Sequence, residues 1–174
     1  MRSIIYAAYS KDLSVKTTSA KIQMMKQGKY VGGYAPYGYV LHPTIRNKLA
    51  VDPEAADVIR RIFREALEGS NTSQIARSLN DEGIPTPGQY FKSKHSDKKK
   101  FSNMSEKISR ETVMVYNILK NLVYTGTLVS RKMKSCGVGS IKRVVNEPII
   151  VEGTHEAIIS KEDFELAQKV IRGG

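Results

Sequence analysis

Residues 52–69 leave this chain little choice of architecture. Asp52-Pro53-Glu54 has the form of a helix start: Asp suits the N-cap, Pro the first helical position, and an acid is favoured there by the macrodipole. Behind it Ala55, Val58, Ile59, Ile62, Phe63, Ala66 and Leu67 recur at the spacing of one buried helix face, and Gly69 supplies the stop. A face that apolar has to be covered by other elements. The next helix is predicted from Asn71, with Gln74 three residues on in the relation of a capping box and Ile75, Ala76 and Leu79 turned inward before Gly83. Two such helices joined by a short glycine-containing turn have the form of the first half of a helix-turn-helix.

The flanks extend this pattern. Residues 4–27 contain neither proline nor glycine and stop at Gly28, which predicts one long helix. Its lysines Lys11, Lys16, Lys21 and Lys26 recur every five residues, a spacing that winds positive charge around the helix and suits a curved phosphate backbone. The segment from Gly28 to Tyr39 is dense in Gly and Tyr and reads as turn and extended chain. It lacks the Gly-Lys-Ser or Gly-Lys-Thr of a nucleotide-cradling loop.

Past Gly83, Ile84-Pro85-Thr86-Pro87-Gly88 breaks the chain, and residues 89–104 read as a flexible, lysine-rich loop. Ser109 is the predicted cap of a third helix that turns Val115, Ile118, Leu119 and Leu122 inward and Arg110, Val113, Tyr116, Asn117 and Lys120 outward. Arg and Asn are the side chains able to make bidentate contacts to guanine and adenine edges in a major groove. Residues 124–130 and 140–151 read as strands of a hairpin, with Gly137 and Gly139 in the connection and basic residues near the tip, a wing-like projection. Ser160, with Asp163 three residues on, opens a last helix carrying Phe164, Ala167, Gln168 and Ile171.

Charge narrows the partners. The 174 residues hold 28 Lys plus Arg against 17 Asp plus Glu, a net charge of +11, and from Tyr116 to Val145 there is no acid at all. Such a field attracts polyanions. A membrane-surface binder needs large apolar anchors on a basic amphipathic helix, and here there is no Trp and only four Phe, so nucleic acid is the expected partner. No apolar run approaches the length needed to cross a bilayer, no secretory signal opens the chain, and the single Cys136 with three scattered histidines (His42, His95, His155) makes no structural metal site. The expectation is a soluble, cytoplasmic chain without cofactor or metal. His155, before an apolar run, reads as a packing or capping residue.

In order along the chain, several segments resemble one family, the large serine recombinases. Tyr9-Ser10-Lys11-Asp12-Leu13-Ser14-Val15-Lys16 is similar to the end of the long helix that leaves their catalytic domain. Gly33-Tyr34-Ala35-Pro36-Tyr37-Gly38-Tyr39 resembles the opening of their recombinase domain. The helix from Asp52 to Leu67 with Gly69-Ser70, Ile75-Ala76, Leu79-Asn80, Gly83-Ile84 and Thr86-Pro87 resembles its middle. The string from Val115 to Gly126 is similar to its close, and Gly153-Thr154-His155-Glu156-Ala157-Ile158-Ile159-Ser160 to the segment entering a zinc ribbon. The chain departs from the pattern in lacking a Trp before the third helix and in carrying Asn121-Leu122 where Asn-Pro is usual.

The resemblance implies a parent protein that cuts DNA with a serine in an upstream domain and recombines it as dimers and a synaptic tetramer. In this chain no catalytic serine is expected, since Ser10, Ser14 and Ser19 lie on the long helix without an arginine cluster. Residues 1–28 would be the linker helix, 29–152 the recombinase domain and 153–174 the connection toward the ribbon. The predicted fold is α+β, mainly helical: a long N-terminal helix, a helix-turn-helix-like helical body, a β-hairpin and a C-terminal helix. The predicted contact set for double-stranded DNA of the attachment site is Lys11, Lys16, Lys26, Lys29 and Tyr37; Lys92, Lys94, Lys98, Lys99 and Lys100; Arg110, Val113, Tyr116, Asn117 and Lys120; and Arg131, Lys132, Lys134, Lys142 and Arg143. A stand-alone winged helix-turn-helix regulator is the alternative; it would carry a dimerisation helix and prefer palindromes.

Overall fold

Chain positions 2–95, 111–130, 133–135, 143–145 and 147–173 are described in the computed structural model, and they form two compact units that interleave along the chain. One unit joins Met1–Val51 to Leu122–Ala157, and the other joins Asp52–Asn121 to Ile158–Gly174.

The first unit begins with α1, Arg2–Lys26, a 25-residue helix. Gly28, at φ +69°, closes it in the left-handed conformation, and the Lys29 N–H donates back to the Met24 carbonyl at 3.0 Å, so terminal carbonyls are satisfied as the glycine predicts. The Gly/Tyr segment then leads into a small antiparallel pair not predicted from the sequence: β1, Tyr39–Leu41, and β2, Leu49–Val51, with Tyr39 opposite Val51.

The predicted hairpin is present in narrower form. Leu122–Thr125 is a 3₁₀ turn, so the first strand, β3, covers Leu128–Ser130 instead of starting at residue 124. Further along come β4 (Met133–Ser135), β5 (Arg143–Val145) and β6 (Ile149–Val151). β3 pairs with β6 and β4 with β5, both antiparallel, giving two pairs nested in sequence.

The core of this unit is aromatic. Tyr39 is 2% exposed, stacks on Tyr124 with ring centroids 6.3 Å apart, and meets His155 edge-on at 4.8 Å. Its hydroxyl lies 2.9 Å from the Glu156 carbonyl oxygen and 3.2 Å from that of Val123. Buried polar groups have to be paired, and His155 obeys the rule: Nε2 is 2.8 Å from the Val123 carbonyl and Nδ1 2.7 Å from Thr154 Oγ1. Burial depresses its pKa, with the Val123 contact opposing.

The second unit is helical. α2 (Pro53–Leu67) buries Ala55, Ala56, Ile59, Ile62, Phe63 and Ala66, the face predicted from spacing, with Val58 and Leu67 at its margin. It packs on α3 (Thr72–Asp81), α5 (Thr112–Leu119) and α6 (Lys161–Gly173), and Phe63 meets Phe164 at 6.0 Å. Asn71 caps α3 through the expected capping box, accepting from Ser73 N at 3.0 Å and Gln74 N at 2.9 Å. Ser160 Oγ accepts from Asp163 N at 3.0 Å and caps α6.

Two expectations are corrected. Asp52 occupies the N-cap position of α2, yet its carboxylate makes no cap bond and instead accepts from the Tyr90 hydroxyl at 2.7 Å. Residues 87–94, read as the end of a chain break at Gly88 running into a flexible loop from Gln89, form helix α4, Pro87–Lys94. The reason lies in the residues: Thr86 and Gln89 make a capping box and Pro87 holds the first helical position, while Tyr90 is buried at 7% exposure. Helix α5 starts at Thr112 with Glu111 in the cap position; the predicted cap Ser109 lies outside the described residues.

Arg61 binds α2 to the end of α3. It donates to Glu65 at 2.6 Å, to Ser78 Oγ at 2.9 Å and, through both terminal nitrogens, to the Glu82 carboxylate. Glu82 is held below the ordinary carboxylate pKa chiefly by this hydrogen bond.

Candidate nucleic-acid interface

Helix α5 is where sequence and geometry meet most closely. Its residues Val115, Ile118 and Leu119 are buried against neighbouring helices, which fixes its rotation. Rotation then decides the outer side: Val113 is 62% exposed, Tyr116 39%, and Asn117 and Lys120 are exposed beside them. Both ends are tied down. Ser73 Oγ on α3 lies 3.2 Å from Thr112 Oγ1 at the start, and Gln168 Nε2 on α6 donates to the Leu119 carbonyl at 2.7 Å at the end. A helix held at both ends presents its outer side chains in a fixed frame.

The outer side is ordered as well. Lys120 Nζ donates to the Tyr116 hydroxyl at 3.0 Å and sits 4.9 Å from the centroid of that ring. Next to Tyr116 runs a groove bounded by the α2–α3 turn at Gly69, Ser70 and Asn71, by α5, and by Lys169 and Val170 of α6. Lys169 adds a cation at its rim, and Arg77 adds another on the exposed side of α3. Neither was in the predicted set, because α3 and α6 were read only for their inward residues.

On α1, Lys16 and Lys26 are exposed, as is Lys29 beyond its end. Lys16 pairs with Asp12 at 2.7 Å, an exposed i,i+4 pair that water largely screens. Lys11 lies on α1, Lys134 on β4 and Arg143 on β5. On α4, Lys92 is half-buried, and Lys94 reaches Glu54 at 3.1 Å and lies over the Tyr90 ring at 5.2 Å. These two belong to a folded helix and not to a loop. Tyr37 is the clear correction: at 7% exposure it is a core residue of the first unit and leaves the contact set. Lys98, Lys99, Lys100, Arg110, Arg131, Lys132 and Lys142 lie outside the described residues. Among the described residues no group of three or more His, Cys, Asp or Glu is placed to hold a metal ion, and no helix is long and apolar enough to cross a membrane.

The family profile described as Recombinase matches residues 53–174, which takes in every helix of the second unit and the whole nested hairpin. The chain belongs to the Recombinase family. Two solved structures share the fold of this Recombinase chain. One, described as a complex of a large serine recombinase (LSR) with DNA, superposes with TM-score 0.58 at 20% identity over 91% of this chain and 38% of its own. The other, described by the sequence requirements of the Listeria innocua prophage attP site, gives TM-score 0.57 at 19% identity over 90% of this chain and 51% of its own. The Recombinase chain thus spans between a third and about half the length of these relatives. The architecture is the expected one, mainly helical α+β with a long first helix, a helical body, a hairpin and a last helix.

Proposed function

We propose that this chain is the DNA-binding recombinase domain of a site-specific serine recombinase and that it grips the arm of an attachment site in double-stranded DNA. The observation that carries the reading is the likeness, over 91% of the chain, to a recombinase solved with DNA, within a family the residues themselves match. The net charge of +11 supports it, as does the exposed outer side of helix α5, whose Asn117 can reach a base edge. Residues 29–152 are the binding domain in this reading, with 1–28 the helix from a catalytic domain and 153–174 the link toward a zinc ribbon. The chemistry of strand cutting belongs to the parent's serine domain, and dimers and a synaptic tetramer are the parent's assemblies. The chain itself contributes position: it holds duplex beside the crossover so that the cut falls at one place.

Fluorescence anisotropy against a labelled duplex over a salt series is the test. A chain neutralising several phosphates loses affinity steeply, by roughly a thousandfold or more between 50 and 200 mM salt if about six contacts are made. A flat response rejects duplex DNA as the partner. Stoichiometry separates the alternative: a winged helix-turn-helix regulator binds a palindrome as a dimer, whereas the recombinase domain binds an asymmetric half-site as a monomer.

A further inference from the structure

Helix α5 contains no charged residue between Thr112 and Leu119. A helix surface that grips phosphates needs Lys or Arg, so the middle of this one is chemically unsuited to the backbone. Two of its exposed positions have no internal task. Val113 is 62% exposed, a β-branched apolar side chain that gives the core nothing. Asn117 is exposed, and among the described residues no hydrogen bond holds its amide. Tyr116 and Lys120, by contrast, are joined to each other.

Resting on the DNA-binding reading above, we infer that Val113 and Asn117 form a two-residue reader of A·T base pairs, Asn117 taking an adenine edge and Val113 a thymine methyl. The chemistry fits each partner. An Asn amide offers an acceptor and a donor side by side, the complement of adenine N6 and N7, and an isolated methyl pair complements the thymine C5 methyl. The spacing fits as well. Residues four apart stand on the same helix face with Cβ atoms about 6 Å apart, against a rise of about 3.4 Å per base pair, so the two reach base pairs one or two steps apart. Lys120, at the C-cap of the helix one turn beyond Tyr116, extends the same side with a cation suited to an adjacent phosphate.

The test is selection of the whole chain against a duplex pool with a randomised core, followed by sequencing and by affinity measurement on the most enriched duplex. The parent is expected to enrich A·T pairs at two positions one or two steps apart. Asn117→Ala should make one of them indifferent and weaken the best duplex by roughly ten- to a hundredfold. Replacing thymine by uracil at the other should cost the parent about fourfold, the worth of one buried methyl, and cost Val113→Ala nothing. Both side chains are exposed, so the variants are expected to keep the parent's circular dichroism. If both variants enrich the parent's sequence unchanged, the reader assignment is wrong while duplex binding stands. If the parent enriches no duplex at all, both fall together.

Discussion

At Gly126 the backbone turns with φ +78°, and a Cβ there would lie 2.8 Å from the His155 carbonyl oxygen. The left-handed backbone alone costs an L-residue about 1–2 kcal/mol, and the contact adds to it because both sides are main chain or fixed by it. Gly126→Ala is therefore expected to lower stability by at least that amount, read from the midpoint of urea unfolding. His155 gives the residue scale a pH signature. Its folded-state pKa is depressed below the ordinary value near 6.5, so the neutral ring favours the fold. That contribution is complete above about pH 6.5 and is lost as pH falls through the folded value. Melting temperatures between pH 7.5 and 5 should decline in the parent, and the decline should be shallower in His155→Gln. Glu82 titrates elsewhere: Arg61 holds its carboxyl low, so its contribution persists above the carboxylate range and is lost only in stronger acid. Tyr37 shows where reading residues one at a time stops. Nothing in a Gly-rich string says whether a tyrosine points to solvent or, as here, into the core.

Elements were legible where a cap and a period agree. Asn71 with Gln74, and Ser160 with Asp163, announce α3 and α6 before any packing is known, and the structure uses both pairs. Helix α4 carries an equally good cap in Thr86 and Gln89, but the prolines Pro85 and Pro87 at its start and the lysine run after it pull the reading toward a loop. Its large apolar residues, Tyr90 and Phe91, are adjacent and display no hydrophobic period. β1 and β2, at three residues each, are too short to show an alternation. Thr86→Ala removes the cap and is expected to cost about 1 kcal/mol, with a loss of protection in amide exchange confined to α4. On α5 the buried Val115, Ile118 and Leu119 were legible from spacing, and exposure of Val113, Tyr116, Asn117 and Lys120 followed from them, whereas Leu122, read on the same inward face, falls beyond the helix in the 3₁₀ turn. Lys120→Glu should weaken specific duplex binding by about 1–3 kcal/mol in an anisotropy titration without shifting the melting temperature, since the residue lies outside the core. Equal affinity of variant and parent would remove α5 from the interface.

At the level of the whole molecule the sequence conveyed charge and class, but not partition. Composition and the order of motifs pointed to a basic, mainly helical recombinase-type chain, whereas the division into units follows contacts between residues far apart in sequence. Tyr39 finds Val123 and Glu156, and Phe63 finds Phe164. No local pattern announces such pairs. The interleaving has a consequence for synthesis. As the polypeptide leaves a ribosome, α1 and β1–β2 emerge well before Tyr124 and His155, the rings that complete their core. The early helices α2 and α3 likewise wait for Phe164 and Ala167. Neither core can close before these later residues have emerged, and the apolar side of α2 stays open to chaperones until Phe164 and Ala167 arrive.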